Sequence, residues 1–204
     1  MYTLSPEKKL INNVCNIKLT RLNIESFKPY GDVLEPRNKP IDNKDLLMSG
    51  FAKMSNPVPK NRLESFDVLE YWGEIANITQ EPMRLGYLRT KKRPLTTSWF
   101  ERHTKGTQTF IPLGGEESIF VVAGPSKLDD PNDLPDLLTV KAFHLSGHKG
   151  VSIHPGTWHW TPFPINQKSD FIIVVRTNVK NDDLNFIDLE SKLNTKINIQ
   201  NIIL

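Results

Sequence analysis

Trp99-Phe-Glu-Arg-His-Thr-Lys-Gly-Thr-Gln-Thr-Phe-Ile-Pro-Leu-Gly-Gly-Glu-Glu-Ser-Ile-Phe-Val-Val-Ala123 contains three short runs rich in β-branched and aromatic residues. Lys105-Gly106 divides the first run from the second, and Gly114-Gly115 divides the second from the third. Runs of this length separated by glycine turns read as consecutive strands and not as helix. The pattern extends outward in both directions. Candidate strands are Phe66–Tyr71, Ile75–Thr79, Met83–Arg89, Thr97–His103, Thr107–Leu113, Ser118–Ala123, Leu138–Leu145, Gly150–His154, Thr157–Phe163 and Asp170–Arg176. They recur about every 8–12 residues, the spacing of an antiparallel sandwich or barrel. Lys196–Leu204 alternates in part and reads as a last strand. Asn23 caps a short helix that stops near Pro29 and Gly31. The stretch from Pro36 to Pro59 reads as a long excursion over the surface.

The whole chain, residues 1–204, reads as a single domain. With 38% hydrophobic and 24% charged residues it is an ordinary globular composition. The longest apolar runs, Ile119–Ala123 and Phe171–Val175, fall far short of the roughly 20 residues that span a membrane. No leader pattern opens the chain, so the expected location is the cytoplasm. Cys15 is the only cysteine, which excludes a disulfide framework and a cysteine-built zinc site. A net charge of +3 without an aromatic-basic patch gives no case for nucleic-acid binding. No nucleophile elbow and no phosphate loop are present.

What chemistry the chain carries centres on histidines. Alternation along a strand sets Glu101 and His103 on one face, with Arg102 on the other, where a structural or interface salt bridge is expected. Gln108 and Phe110 share a face of the next strand. Later, Gly150-Val-Ser-Ile-His-Pro-Gly-Thr-Trp-His159 is a strand, a Pro-Gly turn and a second histidine. Trp158 and Trp160 read as packing, and His144 and His148 as surface residues. Together the two segments resemble the two cupin motifs, G-x5-H-x-H-x4-E-x6-G and P-x-G-x2-H. Here they run Glu101-x-His103-x4-Gln108-x6-Gly115 and Gly156-x2-His159. Leu95 stands at the leading glycine, and Pro155 lies one place late. Two ligand positions differ as well, Glu101 for a histidine and Gln108 for a glutamate. A set of Glu101, His103, Gln108 and His159 holds a divalent metal only weakly, because a neutral amide replaces a carboxylate. No cofactor is required. The resemblance implies an all-β, cupin-like antiparallel β-barrel of jelly-roll type with one or two short helices.

A closer resemblance covers residues from about 18 to 176. The strings ERHTKGTQTFIPLGG, PDLLTVKAF, GVSIHPGTWH and SDFIIVVR, together with Ser26-Phe-Lys-Pro-Tyr-Gly-Asp-Val33, resemble the ureidoglycolate lyase family. The segment FAKMSNPVPKNRLESFDVLEYWGE departs from it. The resemblance implies a cytoplasmic homodimer of allantoin and purine breakdown that converts ureidoglycolate to glyoxylate and urea. Such a reaction needs a base at the substrate hydroxyl, an acid at the departing nitrogen and donors for the carboxylate. His103, His159 and Glu101 are the candidate catalytic residues, and Gln108, Thr107 and Lys141 the candidate substrate contacts. The competing readings are another cupin enzyme acting on a small hydroxy acid or sugar, and a non-catalytic binding barrel. The tail Lys196–Leu204, or the strand around Asn16–Leu19, is the expected dimer contact.

Overall fold

Ser118–Ala123 is apolar on both faces, and all six of its residues are buried, so it has to lie between two layers. The computed structural model describes residues 9–11, 13–37, 72, 75–76 and 82–200. The chain forms two compact units, Met1–Leu34 with Ala76–Leu204, and Glu35–Ile75. All the regular elements below belong to the first. In chain order they are β1 (Lys9–Ile11), β2 (Val14–Arg21), α1 (Ile24–Phe27), β3 (Gly31–Leu34), β4 (Met83–Lys91), β5 (Thr96–Thr97), β6 (Trp99–Arg102), β7 (Gln108–Leu113) and β8 (Ser118–Ala123). There follow β9 (Lys141–Leu145), β10 (Gly150–Ile153), β11 (Trp158–His159), β12 (Phe163–Pro164), β13 (Lys168–Arg176), α2 (Val179–Asp182), β14 (Asn185–Asp188), α3 (Leu189–Leu193) and β15 (Lys196–Gln200).

Two sheets result. The smaller runs β3-β10-β7-β13-β4, and the larger runs β14-β6-β11-β8-β9-β2-β15-β5, with β1 on β2 and β12 on β8. Only Ser98 separates β5 from β6, yet β5 ends one edge of the larger sheet and β6 lies next to the other edge. That sheet therefore curls back on itself. Each face has its own core. Ile119, Val121, Ala123, Phe100, Trp158, Ile187, Cys15 and Ile197 pack on the face around which the sheet curls. Phe120, Val122, Phe143 and Leu145 point the other way, against Phe110, Val151, Ile153, Phe171, Ile173 and Val175 of the smaller sheet. Burial of each such side chain contributes about 1.5–3 kcal/mol, so this double layer carries the fold. His159 borders this second core, beside Phe110 and Phe120.

The all-β expectation holds, with three short helices among the described residues where one or two were expected. Thr97–His103 is not one strand, since Ser98 parts β5 from β6, and three further details differ from the sequence reading. First, β2 runs parallel to both β9 and β15, whereas the other pairings are antiparallel. Second, Thr157–Phe163 is not one strand. It breaks after His159, because Pro162 brings no N–H to a ladder, and Arg93 takes the freed Thr161 and Pro162 carbonyls at 2.6 and 3.0 Å. Third, β9 starts at Lys141 and not at Leu138. The Asp136 carboxylate accepts the Leu138 N–H at 2.9 Å and turns residues 136–139. The Asn23 cap is present, with its side chain accepting the Ser26 N–H at 2.8 Å.

Lys196–Gln200 lies inside the larger sheet between β2 and β5, with Ile197 and Ile199 buried. The tail strand and the strand around Asn16–Leu19 thus pair within the chain itself. Phe66–Tyr71, residues 77–79 of Ile75–Thr79, the Pro36–Pro59 excursion beyond residue 37, and Ile202–Leu204 lie outside the described residues. Ile75 and Ala76 form a bend. Among the described residues no helix is long and apolar enough to cross a membrane.

Candidate active site

Strand parity decides what reaches the site. On β6, Phe100 turns to the curl side, so Glu101 turns to the inter-sheet side. On β11, Trp158 and His159 divide in the same way. His159 pairs with Glu101 across the ladder. His103 follows β6, and its carbonyl accepts the Gly156 N–H at 2.6 Å. This bond ties the first motif to the Pro-Gly turn of the second. Gly156 has φ +82°, and a side chain there would strike Leu128, so the turn requires glycine.

Glu101, His103 and His159 each direct one ligand atom into a group whose members lie within 4.8 Å of one another. His159 is fully buried, with Phe110 and Phe120 ring centroids 5.9 and 6.0 Å from its own. Its Nδ1 is 3.1 Å from the Thr157 carbonyl, and its Nε2 is 3.3 Å from Glu101 Oε1. The second is an ion-pair contact, and among the described residues this buried Nε2 keeps no hydrogen-bond partner. His103 Nδ1 donates to the Asp183 carbonyl at 2.7 Å, and its Nε2 lies 3.1 Å from Gln108 Oε1. The two imidazole centroids are 5.6 Å apart.

Burial pushes the Glu101 carboxyl up, but the contact with His159 and the charges of both histidines outweigh it and hold Glu101 below the usual carboxylate range. Burial, and then the neighbouring His159, hold His103 below the ordinary imidazole value against the opposing pull of the Asp183 carbonyl and Glu101.

The donor set also fits a cation. Both Nδ1 atoms face carbonyls, so the two Nε2 atoms converge with the Glu101 carboxylate, and the Gln108 oxygen lies 3.1 Å from His103 Nε2. Glu101, His103, His159 and Gln108 would hold a divalent ion, which would supply Lewis acidity when bound.

The other sequence candidates divide. Thr107 is buried just before β7. Lys141 is exposed, but its Cα pairs with Val122, whose other neighbour is His159. Lys141 therefore lies in one row with His159 and Glu101, two strand spacings, or about 10 Å, from His159. Arg102 is structural. It is 1% exposed, bonds Asp133 at 2.8 Å and the Asp130 carbonyl at 2.7 Å, and covers the Trp158 ring at 4.5 Å. Sequence reasoning missed Asp183 and the carbonyl of Thr157. Neither leaves a local signal, since one lies 80 residues beyond His103 and the other acts through its backbone.

Two imidazoles and a carboxylate, gathered between the two sheets of an all-β chain, form a candidate acid–base site. A family model described as Ureidoglycolate lyase matches residues 14–196, and the chain belongs to that family. The ureidoglycolate lyases of Escherichia coli O1:K1 / APEC and of Shigella boydii serotype 18 are each 32% identical over 172 residues, covering 84% of this chain and 94% of theirs. Among solved structures, RmlC from Streptococcus suis in complex with dTDP-D-xylose aligns at TM-score 0.33 and 10% identity over 70% of this chain and 60% of its own. A score that low carries no argument, and the fold rests on the strand pairing given above.

Proposed function

We propose that this protein is a ureidoglycolate lyase that releases glyoxylate and urea in allantoin and purine nitrogen catabolism. The observation that carries the reading is the convergence of Glu101, His103 and His159 in a chain of this family. Ureidoglycolate bears a hydroxyl and a ureido nitrogen on one carbon, beside a carboxylate. Loss of the hydroxyl proton forms the aldehyde C=O as the C–N bond breaks, and the departing nitrogen takes up a proton to become urea. No water is consumed, so the reaction is an elimination and not a hydrolysis.

His103 suits the base, because its Nε2 carries the lone pair when Nδ1 donates to a carbonyl. His159 suits the acid, since a ring that carries the proton there has the Glu101 carboxylate 3.3 Å from its Nε2. Glu101 balances the charge of that ring. Gln108 and Thr107 offer neutral hydrogen bonds to the ureido group, and Lys141 offers a cation to the carboxylate. Any metal held by Glu101, His103, Gln108 and His159 is weakly bound and auxiliary.

The remaining expectations belong to the same reading: one catalytic domain over residues 1–204, a cytoplasmic location and a homodimer. Exposed Leu85, Tyr87, Ile111 and Leu113 on the smaller sheet support an apolar contact between copies. The test is glyoxylate release from ureidoglycolate by the purified protein and by His103→Ala and His159→Ala. Turnover by the parent that both variants lose supports the site. Undiminished turnover in both variants would overturn it.

A further inference from the structure

Residues 177–195 take no part in the motifs, yet one of them governs the geometry of His103. Asp183 ends α2, with its N–H donating to the Val179 carbonyl at 3.1 Å, and is 2% exposed. Its backbone carbonyl accepts His103 Nδ1 at 2.7 Å. Its carboxylate Oδ1 accepts the N–H groups of Thr104 and Lys105 at 2.5 and 3.0 Å. A single residue therefore grips both the ring of His103 and the two residues that follow it in the chain.

The grip is itself braced. Asp183 Oδ2 lies 3.5 Å from an Arg176 guanidinium nitrogen. Arg176 is almost buried and also forks onto Asp182 at 3.0 and 3.3 Å. Lys105 reaches the same Asp182 at 3.0 Å. The end of β13, the segment after α2 and the β6–β7 turn are thus knitted together around one buried carboxylate. Charge-assisted bonds of this kind are the stronger class and hold geometry well.

A carbonyl only accepts. His103 Nε2 also faces the Gln108 amide oxygen at 3.1 Å, but that side-chain amide can turn to present its N–H while the backbone carbonyl of Asp183 cannot, so the hydrogen of a neutral ring belongs on Nδ1 and the lone pair on Nε2. Nε2 is the atom directed toward the site. We infer that Asp183 is a positioning residue that holds His103 in its Nδ1–H tautomer, so that Nε2 is the nitrogen presented to substrate. The position needs a short side chain with an acceptor oxygen, because it has to accept two adjacent backbone N–H groups while its own carbonyl stays aimed at the ring. The rate arm of the test rests on the lyase reading; the tautomer does not.

Long-range ¹H–¹⁵N correlation spectra of the labelled protein, with and without EDTA, report the tautomer, and the signal lost in His103→Gln assigns it. In EDTA, where no ion dictates the ring, His103 should show a protonated Nδ1 and a pyridine-like Nε2. Asp183→Ala should shift the ring toward the Nε2–H form and lower kcat by about 10–100-fold with KM nearly unchanged. Asp183→Asn keeps an acceptor for the Thr104 and Lys105 N–H groups, and should restore most of both. A parent His103 protonated on Nε2 in EDTA would overturn the inference, and that spectrum decides even where Asp183→Ala does not fold. So would an Asp183→Ala protein that loses stability alone, with tautomer and kcat unmoved. If the parent shows the Nδ1–H ring but does not act on ureidoglycolate, the lyase reading fails and the positioning role stands.

Discussion

Replacing Arg102 by methionine should cost the protein about 3–5 kcal/mol of stability, the usual consequence of removing one partner from a buried ion pair. Arg102 is 1% exposed, and the Asp133 side chain it meets at 2.8 Å is 10% exposed, so water offers little relief to the carboxylate left behind. The Asp130 carbonyl loses its donor at 2.7 Å as well. Two charge-assisted bonds at roughly 1.5–3 kcal/mol each reach the same range independently. Methionine retains the stem that covers Trp158, so little cavity forms. Against a total stability of about 5–15 kcal/mol the variant should fold but be marginal. With a urea slope of about 2 kcal/mol per molar, the unfolding midpoint should fall by roughly 1.5–2.5 M. Arg102→Met with Asp133→Asn should recover part of that loss, because the stranded charge is gone and the Ser126 hydroxyl, which donates to Asp133, keeps an acceptor. A single-variant midpoint within 0.5 M of the parent, or about 1 kcal/mol on that slope, would refute the assignment of Arg102 as a buried structural clamp.

His159→Ala should lower kcat by about 10²–10⁴-fold, the span of general acid–base catalysis, while EDTA lowers activity less; full loss on chelation with recovery on adding a divalent metal would make the ion the principal catalyst. Glu101 and His103 are both held below their ordinary values of 4.5 and 6.5, so the unfolded chain binds protons more readily than the folded one. Stability should therefore decline as pH falls below about 6.5, and more steeply below about 4.5, in urea titrations from pH 8 to 4; a gain in stability over that acid limb would contradict both shifts. Gly31→Ala should destabilise by about 1–3 kcal/mol, because the added methyl meets the Ser152 carbonyl and lies 2.7 Å from the Ile153 Cα, backbone that cannot rotate aside. An unchanged melting temperature for that variant would show that β3 and β10 separate more easily than their pairing implies.

Much of this was legible because the residues involved declare themselves locally. Ser118–Ala123 matches its strand end to end, since an unbroken apolar run flanked by turns has few other solutions. Alternation alone separates Glu101 from Arg102, and the motif spacing brings Glu101, His103, Gln108 and His159 together. The limits were equally physical. A strand's composition does not name its partner, so nothing in Val14–Arg21 revealed that β2 is parallel to β9 and β15. Asn185–Asp188 and the two helices beside it are four or five residues long, too short for a period to emerge. Lys141 depended on where β9 begins, which is set by a side-chain turn at Asp136 and not by apolar pattern. The hold of Asp183 on His103 is a contact between a backbone carbonyl and a ring across 80 residues, for which no local spacing exists.

The central claim is elimination of urea by acid–base side chains, and the identity of the nitrogen product tests it most directly. Purified protein should be incubated with ureidoglycolate while glyoxylate, urea and ammonia are quantified together over the time course. Glyoxylate and urea should appear in equal amounts, with no ammonia, and at a rate that falls by about 10²–10⁴-fold in His159→Ala. Release of ammonia in place of urea, or no turnover by the parent protein, would contradict the account.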